Sequence, residues 1–284
     1  MTTIDMTHPT KGITSRSWLA RHPLLGFFSL AILIGWLIPL PSLFLDLPFK
    51  PFQTVGAFGP LIAAVIVTAS NGKEELKSLL RRMLNFRFGI GQYLIAIFGY
   101  VLLYLLVAGL SGAPLAASIS EKWTLILTLY LPALFTIYLI NPIGEETGWT
   151  GFALYHLQKR FSPWLGAVIL GVVWAVWHLP AYFVPSEMGA FNPVGFVIFP
   201  LSAIFSRIIW TWLTNTARGS GIAAILLHAS SNAVSLALIP LLLPAPTPDQ
   251  MATSGLILLG ASLMLAILIL IFTHGGLSYK SRLG

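Results

Sequence analysis

The chain has 284 residues, of which 56% are hydrophobic and only 9% charged, with a mean hydropathy of +0.85. A water-soluble domain carries about 25% charged residues, so this composition excludes one and predicts an integral membrane protein. The absence of cysteine excludes disulfides, thiolate metal sites and a cysteine nucleophile. The net charge of +7 raises the possibility of nucleic-acid binding, but the placement of the basic residues explains it better, and no nucleic-acid partner is expected.

In chain order, a polar stretch through His22 carries Lys11, Arg16 and Arg21. It reads as a cytosolic tail, residues 1–23. The apolar run Leu24–Phe44 is too long for a signal-peptide core and lacks a small-residue cleavage site, so it reads as a retained first span. Because a bilayer core takes about 20 apolar residues per helix, seven further segments follow as spans. They are Val55–Ser70, Ile90–Leu110, Trp123–Ile143, Ser162–Val184, Val194–Leu213, Gly221–Leu243 and Ser254–Thr273. The fold class is therefore all-α, a polytopic membrane protein of about eight transmembrane helices in one bundle around an intramembrane cavity. Residues 24–273 form a single transmembrane domain and 274–284 a second cytosolic tail. With the N-terminus inside, 14 of the 16 Lys and Arg fall on the inner side, and only Lys50 and Lys122 fall outside. This is the asymmetry of the positive-inside rule. The inner stretch "NGKEELKSLLRRMLNFRFG" spaces Leu76, Leu79, Leu80, Met83 and Leu84 as one helical face opposite basic residues. It reads either as an interfacial amphipathic helix or as a plain connector.

Ionisable residues inside spans are costly and usually line a cavity or a site. Three groups qualify: the pair Glu145–Glu146, His178 in "VVWAVWHLP", and His228 with Asn232 in "ILLHASSNAV". The turn signal "KRFSP" lies midway between the first two. An antiparallel hairpin turning near Phe161 brings Glu145 and His178 to one depth, about 24–25 Å from its tip at 1.5 Å per residue. His228, ten residues past Arg218, sits about 15 Å in from the inner face by the same rise. His228 and Asn232 share a helix face, as do Trp174 and His178, whereas adjacent Glu145 and Glu146 diverge by about 100°. Taken singly, each polar group also has a structural reading, as an interhelical hydrogen-bond donor or a solvated helix end, and Trp174 and Trp177 read as packing residues.

A carboxylate and two imidazoles in a shielded cavity support two chemistries. In one, a glutamate takes a proton from water as general base, and His and Asn donors stabilise an oxyanion. In the other, Glu145, His178 and His228 hold a divalent metal such as zinc, with a water position left open. Either hydrolyses an amide.

The strings "EETGWTGFALYHLQ", "WAVWHLP" and "HASSN" resemble the three motifs of the CPBP intramembrane proteases. That family includes type II CAAX prenyl endopeptidases and bacterial Abi-type proteins. Its motifs EExxxR, F/WxxxH and HxxxN/D correspond here to Glu145-Glu146-x-x-x-Thr150, Trp174-x-x-x-His178 and His228-x-x-x-Asn232. The motif region covers about 136–232. The resemblance implies a bundle with a conical cavity open to the cytosol, Glu145 activating water with His178, and His228 and Asn232 stabilising the oxyanion, by a metal-dependent or a glutamate-only route. The chain reads as one of a bacterial plasma membrane, with both termini cytosolic by the charge asymmetry, so the expected substrate is a membrane-associated peptide or protein and not a CAAX protein. One position departs from the pattern. The family arginine is Thr150, so Glu146 lacks the i+4 cation that would neutralise it. Glu146 is then protonated, or another cation replaces the missing one, or the protein is an impaired relative acting as a binding or immunity protein. Arg207, the one basic residue deep in a span, is the candidate substitute, against the alternative that it snorkels to the interface. A small proton-coupled transporter is the remaining rival.

Overall fold

A computed structural model describes residues 17–45, 47–110, 121–183, 193–238 and 248–280. Lys11, Arg16, Arg282 and the ends of the segments Ser162–Val184 and Gly221–Leu243 lie outside them. The described residues are mostly helical, with no strand among them.

The expected segments all fall on helices, with adjusted ends. The first span is broken. Helix α1, Pro23–Leu37, has only 15 residues. Pro39 and Pro41, which lack backbone N–H groups, end it and start the separate turn Pro41–Phe44. The second span is longer than the sequence indicated: α2 runs Phe49–Ala69. The inner stretch forms α3, Lys73–Met83, entered through Gly72 at φ 104°. The third span is α4, Ile90–Leu110. Next come α5, Ile126–Thr136, and α6, Ile140–Arg160, bent by 51° at the break between them. They are followed by α7, Pro163–Trp177, α8, Pro193–Thr216, α9, Gly221–Leu238, and α10, Pro248–Phe272. Among the described residues, six helices are long and apolar enough to cross a membrane, or seven if α5 and α6 make one span; α1 is the shorter apolar helix beside them.

Burial runs opposite to that of a water-soluble protein. Leu102, Leu106, Leu256, Met264 and Ile271 face outward, while Glu145, Glu146, Arg207 and His228 are enclosed. An apolar exterior around a polar centre is what lipid solvation requires.

Two close backbone approaches place the centre. On α6, a Cβ at Gly144 would lie 2.7 Å from the Ala57 carbonyl oxygen, and one at Gly148 2.4 Å from that of Pro60. This small-xxx-small pair lets α6 lie directly on α2, turning its opposite face inward. A Cβ at Gly171 would lie 2.6 Å from Cα of Ile204, so α7 sits equally close to α8. The α6–α7 hairpin turns at Phe161, and Ser162 and Pro163 begin the next helix, where the sequence placed the turn. The α8–α9 connection turns through Arg218 (φ 58°) and Gly219 (φ 66°).

The apolar face of α3 is divided between the protein and the surface. Leu79 and Met83 are buried but Leu80 and Leu84 are exposed. Arg82, counted among the inner basic residues, is itself buried. Its Nε donates to the Gly151 carbonyl at 3.0 Å, and its guanidinium covers the Tyr155 ring at 3.8 Å, fastening α3 to α6.

Candidate active site

Glu145 and Glu146 sit on the first half of α6, just before the wider π-helical turn Trp149–Leu154, an irregularity often found at functional sites. Adjacent residues on a helix point about 100° apart, and the two carboxylates meet different helices.

Glu146 is fully buried and bonded on every side. Arg207 of α8 grips it with a two-pronged fork, Nη1 to Oε2 at 2.8 Å and Nη2 to Oε1 at 2.9 Å. The Thr150 hydroxyl donates to Oε2 at 2.6 Å, and His228 Nδ1 lies 3.0 Å from Oε1. These four bonds use the roughly four acceptor positions of a carboxylate. An ion-paired carboxylate can only accept, so the His228 Nδ1 is the donor and Nε2 is its free nitrogen.

Glu145 is buried but accepts one bond, from Trp174 Nε1 to Oε2 at 2.9 Å. Its Oε1 accepts none from a described residue. Trp174 also organises His178. The histidine caps α7 and its Nδ1 donates to the Trp174 carbonyl at 2.9 Å; a carbonyl can only accept, so here too Nε2 is left free. The Trp174 ring meets the imidazoles edge-on, at 4.9 Å from His178 and 5.7 Å from His228.

The structure thus brings together Glu145, Glu146, His178 and His228. Asn232, one turn beyond His228, is half-buried and its side chain makes no hydrogen bond to any of them. Arg207 does not snorkel: it is 1% exposed and paired with Glu146. Trp174, read from sequence as packing, is the hydrogen-bond donor to Glu145 and also lies under the Arg207 guanidinium, 4.4 Å from its ring centre. Trp210, beside Trp174 and 4.8 Å from the same guanidinium, escaped the sequence reading; its signal was the i,i+3 spacing from Arg207.

Among the described residues, no three His, Asp or Glu side chains converge to hold one ion. Glu145, His178 and His228 each contact Trp174 instead, so this arrangement does not gather them into a metal cradle.

A polytopic helical membrane protein with a buried Glu–Glu, His and His–Arg constellation is the class defined by this fold. A family profile described as type II CAAX prenyl endopeptidase Rce1-like matches residues 127–234, which spans the whole site. The chain is also 30% identical over 183 residues to CAAX prenyl protease 2 of Methanococcus maripaludis, a match covering 61% of this chain and 67% of that relative. The chain belongs to the CPBP family of intramembrane proteases, with the type II CAAX prenyl endopeptidases.

Proposed function

We propose that this protein is an intramembrane endopeptidase that hydrolyses a peptide bond in a membrane-associated peptide or protein, with Glu145 as the base. The observation that carries this reading is the unequal setting of the two glutamates. Glu146 has no acceptor position to spare, whereas Glu145 keeps Oε1 open beside His178. A water bound between Glu145 Oε1 and His178 Nε2 gives up a proton to the carboxylate as its oxygen attacks the scissile carbonyl carbon. The developing oxyanion takes hydrogen bonds from Asn232 and from His228 Nε2 in its doubly protonated form. The proton held by Glu145 then passes to the leaving amine as the C–N bond breaks, and both products leave with atoms balanced. Asn232 must turn toward the peptide to take this role, a motion that substrate binding would drive.

The pairing of Glu146 with Arg207 removes the specific reason for reading the chain as an impaired relative, because the missing cation has a replacement. The charge asymmetry supports cytosolic termini, and a bacterial plasma membrane is part of the same proposal. The relative's name makes a prenylated peptide the first probe, beside a library of unmodified membrane peptides. The test is cleavage by protein in lipid nanodiscs, unsubstituted and as Glu145→Gln, with and without a chelator. Cleavage abolished in Glu145→Gln and insensitive to chelator supports the glutamate route. Loss with chelator and recovery with zinc replaces it by a metal route. Absence of cleavage under every condition favours a binding or transport function.

A further inference from the structure

Resting on that proteolytic reading, we propose that Arg207 is a positioning residue for the reaction. On this view a cation supplied from α8 takes over the holding of Glu146, which α6 leaves to a threonine, and through Glu146 it fixes His228 at the scissile bond.

The cation is buried, with both terminal nitrogens on Glu146. Its two terminal nitrogens take the two oxygens of Glu146 at 2.8 and 2.9 Å, a planar fork that a lysine cannot copy. Its guanidinium carbon lies 4.4 Å from the Trp174 ring centre and 4.8 Å from that of Trp210, the two rings being neighbours 5.4 Å apart, and each ring is pinned by its own N–H. Trp174 donates to Glu145, and Trp210 donates to the Tyr100 hydroxyl oxygen at 2.8 Å. One guanidinium therefore sets three things at once: the Glu146 carboxylate, the ring that bonds Glu145, and, through Glu146 Oε1, the Nδ1 edge of His228. Without Arg207, Glu146 keeps only Thr150 and His228 in a closed site. A buried carboxylate stripped of its counter-charge is driven to protonate. The bond that orients the His228 ring then runs to a neutral carboxyl and weakens.

The geometry also says where else the cation can come from. The Thr150 hydroxyl and Arg207 Nη1 meet on the same oxygen, Oε2, at 2.6 and 2.8 Å. Position 150 and the fork thus reach one corner of the carboxylate, and residue 150 is i+4 from Glu146, the spacing at which an arginine pairs with a glutamate on its own helix. The positioning charge is therefore movable between helices, provided position 207 is cut back to make room.

The experiment measures kcat and KM for peptide cleavage in nanodiscs. It compares the unsubstituted protein, Arg207→Lys, Arg207→Ala and the double variant Thr150→Arg/Arg207→Ala, with thermal unfolding followed in parallel. Arg207→Lys is expected to fold and to lose about 100-fold in kcat with KM within about threefold, since it keeps a charge but not the fork. The double variant is expected to recover at least about tenfold over Arg207→Ala. A kcat for Arg207→Lys within threefold of the unsubstituted protein overturns the inference, and it decides the matter alone if Arg207→Ala does not fold. A folded double variant no better than Arg207→Ala also overturns it, because a merely structural cation would not be replaceable at that corner and a positioning one would. Failure of the unsubstituted protein to cleave any peptide is the separate result that sinks the proteolytic reading itself.

Discussion

The α6–α7 hairpin and the α8–α9 pair both reach the glutamates, but they contribute unlike things. The first carries Glu145, Glu146, Trp174 and His178 on two helices joined through Phe161 and Ser162, so its members are set by one short turn. The second brings Arg207 and His228 to Glu146 from either side of the Arg218–Gly219 turn. The hairpin presents an open carboxylate oxygen and a free imidazole nitrogen. The α8–α9 pair presents a guanidinium and a His228 Nδ1 donor already spent on Glu146. On the proposed mechanism the two neighbouring carboxylates hold different offices: Glu145 serves as the base, while Glu146 takes the guanidinium and the His228 Nδ1 donor.

That division predicts opposite outcomes for two single substitutions. Glu145→Gln removes the base and should lower the cleavage rate by about 10²–10⁴, with thermal unfolding displaced by no more than about 1 kcal/mol. Glu146→Ala leaves the Arg207 guanidinium buried without its partner, and breaking such a pair costs about 3–5 kcal/mol. Unfolding midpoints in detergent, followed by tryptophan fluorescence, should therefore separate the two. Equal destabilisation by both would break the distinction between a reactive and a structural carboxylate.

Much of this was legible in the sequence, and the legible part has one physical character. Depth along a helix is a count of residues from a turn, so "KRFSP" placed Glu145 level with His178, and "TARGSG" placed Arg207 near His228. Depth and scarcity of charge together pointed to Arg207 as the partner of Glu146. What counting does not give is the direction a side chain takes around the helix and the partner it chooses there. Trp174 therefore read as packing although its N–H is what Glu145 accepts. Trp210 went unnoticed because an aromatic residue in a span looks the same whether it faces lipid or a guanidinium. Arg82 read as one more inner positive charge because nothing local shows that α6 offers it a carbonyl at Gly151. The first span failed for a different reason: hydropathy averages over prolines, and Pro39 and Pro41 interrupt an otherwise unbroken apolar run.

The hairpin's seating on α2 supplies a smaller test. Gly148 has no room for a side chain, since a Cβ there would fall 2.4 Å from a carbonyl oxygen. Gly148→Leu must push α6 away from α2, an overpacking cost of about 1–3 kcal/mol, and it should shift Glu145 and Glu146 together. Unfolding and cleavage should then fall in the same variant, unlike the two glutamate substitutions. If unfolding falls while cleavage per folded molecule is unchanged, the hairpin and the α8–α9 pair move as one body.

Thr150→Val is the mildest and the most discriminating. Valine keeps the shape of threonine and removes only the hydroxyl that donates to Glu146 Oε2. A hydrogen bond to a charged group contributes about 1.5–3 kcal/mol, but the fork of Arg207 remains on the same oxygen, so the expected loss lies at or below the lower end, about 1 kcal/mol. Cleavage should fall by less than about threefold, because the His228 bond sits on the other oxygen. Combined with Arg207→Lys, the same change should cost more than the sum of the two, because each alone leaves the other holding Oε2 and together they leave it to a point charge. Strict additivity would mean that Thr150 and Arg207 act on Glu146 independently, and that α6 and α8 do not share the task of holding it.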